Sequence, residues 1–107
     1  MTSPTYEIFA IKYGERVGTR GSMFIGGDPH DAPQAMDYYI WAIRNDERTI
    51  VVDTGFEKAE GERRGRTYTQ SPAEGLRRVG IDPDAIEDVI ISHMHYDHAG
   101  NLDLFPN

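Results

Sequence analysis

Val89-Ile90-Ile91-Ser92-His93-Met94-His95-Tyr96-Asp97-His98-Ala99-Gly100 is the stretch on which the fold turns. Val89 to Ser92 opens it as an apolar, β-branched run, and it is predicted as a buried strand, covered on both faces. The run ends on four side chains with metal-ligating chemistry. In extended backbone alternate residues face the same way, so His93 and His95 reach one ion from one side. Asp97 and His98 are adjacent and serve one ion together only where the backbone turns, as it does entering a helix. The spacing therefore suggests two ion sites side by side. Imidazole nitrogen suits zinc and its neighbours in the transition series. Gly100 would allow another backbone to approach closely just beyond the ligands. A loop at the carboxyl end of a buried strand is also where α/β proteins place ligands. The alternative is a polar loop whose histidines face solvent. A lone histidine would favour that reading, but three of the chain's four histidines fall within these six positions, beside an aspartate.

Working outward, Thr49 to Asp53 and Tyr38 to Arg44 read as strands joined by the polar turn Asn45 to Arg48. Their apolar runs have little polar interruption, which predicts a hairpin covered on both faces, with Trp41 and its tyrosine neighbours in the core. Tyr6 to Tyr13 reads as a further strand. Val17 to Pro33, rich in glycine and proline, reads as a long loop with a short strand at Met23 to Ile25. Gly55 to Gln70 is charged and poorly periodic, a loop with some helical character. A helix follows: Ser71 is the N-cap, Pro72 its first residue, and Glu74 completes a capping box. Ala73, Leu76 and Val79 share its inner face, Gly80 ends it in the left-handed conformation, and Ile81 packs back on Leu76. Asp82 to Ile86 is a turn. Strands alternating with helices indicate an α/β class.

Composition bounds the function. The chain has 107 residues, 38% apolar and 27% charged, as expected of one soluble domain. Its net charge of −7 argues against nucleic acid and anionic membranes as partners. With no cysteine there is neither a disulfide framework nor a thiolate metal site. No run is long and apolar enough to span a bilayer, and Met1-Thr2-Ser3-Pro4 lacks the pattern of a secretory signal. The expectation is a cytoplasmic protein.

His-x-His-x-Asp-His after an apolar strand, with Val52-Asp53-Thr54-Gly55 upstream, resembles the metallo-β-lactamase superfamily. Tyr38 to Gly55, Ala73 to Gly80 and Ile90 to Asn101 more narrowly resemble the N-acyl-homoserine lactonase branch, with 4-pyridoxolactonase nearby. The likeness runs from Tyr6 onward; the motif itself is shared with glyoxalase II and RNA-processing nucleases.

The resemblance implies that residues 1–107 form the N-terminal half of an αβ/βα sandwich, a mixed sheet with outer helices, the second half being absent from this chain. It implies two divalent metal ions, zinc the first choice, with His93 and His95 on the first and Asp97 and His98 on the second. Asp53 would be the carboxylate that orients a metal-bound histidine, a role compatible with simply capping the turn after its strand. His95 stands where flavo-diiron relatives carry glutamate, which argues against redox iron chemistry. The family's third histidine, bridging aspartate and last histidine lie downstream of the motif, and none is found before Asn107.

The implied reaction is opening of a lactone ring of the acyl-homoserine lactone kind, as in quorum quenching. A metal-bound hydroxide attacks, available because coordination lowers the pKa of water from about 15.7 to about 7. Asp97 both ligates a metal and passes the proton to the leaving oxygen. Two alternatives stay open: a glyoxalase II-like thioesterase, or a non-catalytic metal-binding fragment. The expected partners are a small-molecule substrate and either a second copy or a complementary C-terminal half; the 107 residues alone are not expected to be an active monomer.

Other residues receive plainer readings. His30, beside Asp28 and Asp31, belongs to a turn-rich loop that by resemblance borders the substrate pocket. Tyr96 alternates away from the ligands and is read as packing. Arg63, Arg64 and Arg66 form a solvated face offset by Glu60 and Glu62.

Overall fold

A long antiparallel hairpin forms the frame of the computed structural model, which describes residues 5–106. The reading of Met1 to Pro4 lies outside the described residues. β1 (Glu7–Thr19) pairs with β2 (Pro33–Arg44) from Glu7 opposite Arg44 to Thr19 opposite Pro33. Both strands run further than their apolar cores, because Arg20 N–H bonds to the Ala32 carbonyl at 2.9 Å and closes the ladder beyond the β-branched residues. The strand expected at Met23 to Ile25 does not form. A helical turn, α1 (Arg20–Met23), stands there instead, capped by the Thr19 hydroxyl and followed by Gly26 and Gly27 at positive φ.

β3 (Thr49–Val52) continues the sheet antiparallel to β2 after the Asn45 turn, whose side chain accepts from the Glu47 and Arg48 N–H groups. The Gly55 to Gln70 stretch holds α2 (Lys58–Arg63) and a two-residue strand, β4 (Thr67–Tyr68), that pairs with β1. α3 (Pro72–Arg78) has the N-cap and the ending that its sequence predicts. The Ser71 hydroxyl accepts from Glu74 N–H at 3.0 Å, Gly80 has φ 81°, and Ile81 N–H returns to the Leu76 carbonyl at 3.0 Å. A 3-10 turn at Pro83–Ala85 leads into β5 (Asp88–Ile90), which lies parallel to β3. The mixed sheet has the order β4-β1-β2-β3-β5.

One sheet face carries the core: Ile11, Tyr13, Tyr38, Ile40, Ala42 and Val51 pack with Phe56, Leu76, Ile81 and Ile86. The other face is bare, which corrects the expectation of two covered faces. Ile8, Tyr39, Trp41 and Ile90 share it by strand register and are 68%, 38%, 41% and 51% exposed. Trp41 is thus not a core residue here. Likewise β5 is an edge strand rather than a buried one, since among the described residues β3 is its single neighbour and only one of its faces is covered. Among the described residues no helix is long and apolar enough to cross a membrane.

Candidate metal centre

The motif leaves the sheet at the end of β5 and folds back over the turn that follows β3. Asp53 stands at the start of that turn with φ 65°, a left-handed conformation that aspartate tolerates better than most residues. Its backbone N–H bonds to the Ile90 carbonyl at 2.7 Å, and its Oδ1 accepts from Ser92 N–H at 2.7 Å. The two loops are then sewn together along their length. Thr54 N–H donates to the His98 carbonyl at 2.8 Å, and Gly100 N–H donates to the Gly55 carbonyl at 2.8 Å. The buried Asn101 amide donates to the carbonyls of Thr54 and Phe56 at 2.8 and 2.9 Å. The close approach read from Gly100 is real: a Cβ there would stand 2.6 Å from the Gly55 oxygen.

Tyr13 holds the same loop from the sheet. The β1–β2 register slips between Lys12 and Gly14, and the bulge aims the Tyr13 ring into the core. Its hydroxyl donates to the Asp97 carbonyl at 3.0 Å, and burial raises its pKa well above the ordinary tyrosine value.

On this scaffold the potential donors come in two pairs. His93 Nε2 and His95 Nδ1 face each other at 3.0 Å, and Asp97 Oδ2 lies 3.3 Å from His98 Nε2. Two donors about 2.1 Å from one tetrahedral zinc ion stand roughly 3.4 Å apart, so both pairs stand near the spacing that one ion requires, His93 and His95 a few tenths of an ångström closer than it. The His93 and His98 rings are 3.9 Å apart between centroids, which sets the pairs side by side. Among the described residues no group of three or more His, Asp, Glu or Cys could hold an ion. Each pair is half of an ordinary zinc ligand set.

Asp53 backs this arrangement. Its Oδ2 lies 2.7 Å from His98 Nδ1, leaving Nε2 of that ring for the face shared with Asp97. Burial pushes the Asp53 pKa up, but hydrogen bonds from Ser92 N–H, His98 and the Ser92 hydroxyl outweigh it, so the carboxyl is held below its usual range. Asp53 and the four motif residues are thus brought to one corner, while His30 is not. Its N–H closes an exposed turn onto Asp28, as a turn-rich loop would.

Tyr96 packs as expected, stacked on Phe56 with centroids 5.9 Å apart. Arg63 and Arg64 pair with Glu60, whose pKa falls to about 2 as a result. Arg66 departs from the solvated reading: its Nε donates to the Tyr96 hydroxyl at 3.1 Å, because α2 and β4 fold beside the motif. The sequence reading passed over Ser92, Tyr13 and Asn101. Ser92 borders the motif and could have been noticed for its hydroxyl, whereas the other two carry no local signal.

A model of the metallo-β-lactamase superfamily matches residues 35–107. The chain belongs to that superfamily. Within it, the chain is 32% identical over 78 residues to the N-acyl homoserine lactonase AiiB of Agrobacterium fabrum, covering 61% of this chain and 28% of the relative. It is 30% identical over 84 residues to an N-acyl homoserine lactonase of Bacillus thuringiensis, covering 64% and 33%. Among solved structures, it superposes with a TM-score of 0.69 and 22% identity on an N-acyl homoserine lactone hydrolase with N-hexanoyl-L-homoserine bound at its catalytic metal centre. That match covers 97% of this chain and 47% of the other. A probable metal-dependent hydrolase from Staphylococcus aureus gives 0.69 at 17% identity, covering 92% and 41%. This chain therefore spans about a third or less of these curated relatives and under half of the solved ones. The fold is the αβ-type half of the superfamily's sandwich.

Proposed function

We propose that these residues contribute half of the dinuclear centre of a metal-dependent hydrolase that opens lactone rings. The observation that carries the reading is the pair of donor pairs, His93 with His95 and Asp97 with His98, each near the spacing of two ligands on one ion and backed by Asp53. Divalent ions, zinc the first choice, would supply an activated water at neutral pH and draw charge from a carbonyl oxygen. The chain's own residues would do the rest. Asp53 holds the His98 ring by its Nδ1. Asp97 has one carboxylate oxygen turned to His98, and in this reading it would carry a proton to the leaving alkoxide.

The choice of a lactone is supported by the two curated relatives described above, each an N-acyl homoserine lactonase. The ligand set would be completed from outside these 107 residues, by further chain or by a second one.

Elemental analysis tests the ligands: wild type should take up zinc, and the His93→Ala/His95→Ala double variant should lose about half or more of it. Equal metal content in the two would end the assignment. A metal-loaded form carrying the complete ligand set should open acyl-homoserine lactones. Cleavage of a glutathione thioester with the lactones left intact would replace the lactonase reading by a glyoxalase II-like thioesterase. Metal uptake with neither activity would leave a non-catalytic metal-binding fragment.

A further inference from the structure

Ser92 stands between the two donor pairs and touches neither face that an ion would occupy. Its Oγ lies 2.8 Å from Asp53 Oδ2, 3.1 Å from His93 Nδ1 and 3.5 Å from His98 Nδ1. Asp53 Oδ2 in turn lies 2.7 Å from His98 Nδ1. A hydroxyl has one proton to give, and an ionised carboxylate can only accept. The Ser92 proton therefore goes to Asp53, and the 3.1 Å contact must be filled by a proton on His93 Nδ1. The His98 contact at 2.7 Å needs a proton on His98 Nδ1 by the same logic. No direct bond joins Asp53 to His93 among the described contacts, so the hydroxyl is the link.

We propose that Ser92 is a positioning residue that extends the reach of Asp53 to His93, so that one carboxylate sets the tautomer of one histidine in each donor pair. With Nδ1 protonated, both His93 and His98 present Nε2 toward their partners His95 and Asp97. The His95 ring, whose only ring partner among the described residues is His93, is left free to adapt. The proposal rests on the metal-ligand reading of the motif, and it explains how a single buried aspartate serves two ion sites. Such outer partners fix ring orientation and ligand basicity, and their loss costs about ten- to a hundredfold in metal affinity.

The test uses the 107-residue chain with isotope-labelled histidine. In the metal-free wild type, ring nitrogen shifts should report a proton on Nδ1 of both His93 and His98. Ser92→Ala should turn His93 into a mixture of tautomers and leave His98 unchanged. Zinc competition against a chelator should then find one of the two ions bound about ten- to a hundredfold more weakly. Ser92→Thr, which keeps the hydroxyl, should restore both readouts. Asp53→Asn should disturb both histidines, and asparagine tolerates the φ of 65° at that position, so the turn survives. A His93 tautomer unchanged in Ser92→Ala overturns the proposal, as does an Asp53→Asn variant that perturbs His98 alone. If wild type takes up no zinc, the metal reading fails, and the tautomer measurement still decides the role of Ser92.

Discussion

Asn101 offers the most direct test of how the site is held. Its side chain is 7% exposed and donates from one amide nitrogen to the Thr54 and Phe56 carbonyls at 2.8 and 2.9 Å. Those carbonyls belong to the turn after β3, and Asn101 belongs to the loop of the histidine motif. Asn101→Ala would leave two buried acceptors without their donor. Each unsatisfied group costs about 1–3 kcal/mol, so the loss should total about 2–6 kcal/mol. For a chain of this size that corresponds to a fall in Tm of about 10–25 °C.

Asn101→Asp separates hydrogen bonding from shape. At pH 7 the introduced carboxylate cannot donate and sets its charge against two carbonyl oxygens, so the variant should melt below Asn101→Ala. The introduced group would have a folded pKa above its unfolded value of about 4. Its penalty is therefore full above the folded pKa and shrinks as the pH falls toward about 4, where a protonated oxygen restores one donor. Thermal unfolding by circular dichroism at pH 7 and pH 4.5, each variant against wild type at the same pH, reads both effects. Two results would refute the reasoning: a Tm for Asn101→Ala within about 2 °C of wild type, or an Asn101→Asp variant no worse than alanine at pH 7.

Gly100→Ala should cost about 1–3 kcal/mol, because the new Cβ would meet backbone atoms of Gly55, Phe56 and Glu57 that cannot move aside; an unchanged Tm would count against the close approach. Asp53 has a lowered pKa in the fold, so its contribution to stability is present above about pH 4 and fades as the pH falls through the lowered value. Denaturant titrations across that range should find a flatter acid limb in Asp53→Asn, whereas Glu60→Gln should change little, its ion pairs being exposed; parallel limbs for Asp53→Asn and wild type would contradict this. The bare sheet face should drive self-association: light scattering should find concentration-dependent growth in wild type and its suppression in Trp41→Lys/Ile90→Lys, and a monodisperse wild-type monomer would show the face to be harmless.

The sequence by itself determined what depends on neighbours along the chain. The cap at Ser71, the left-handed ending at Gly80 and the packing-back of Ile81 are local hydrogen-bond and steric facts, and they appear in the structure as read. The α/β class and the clustering of His93, His95, Asp97 and His98 follow in the same way from periodicity and spacing. Tertiary structure decided the rest. A continuous apolar run predicts cover on both faces but cannot say whether the covering layer is present, so Trp41 and β5 looked buried although one side of the sheet is bare here. Glycine and proline in Val17 to Pro33 argued for a loop, and most of it is one, but cross-strand pairing carried β1 on to Thr19 and started β2 at Pro33. Tyr13 and Arg66 reach the motif from positions distant in sequence, brought there by a strand bulge and a folded-back helix, while Asn101 reaches from the motif's own loop to the distant carbonyls of Thr54 and Phe56. Local chemistry is written in the order of the residues, but the hydrogen bonds that lock the motif in place depend on backbone groups that meet only once the sheet has formed.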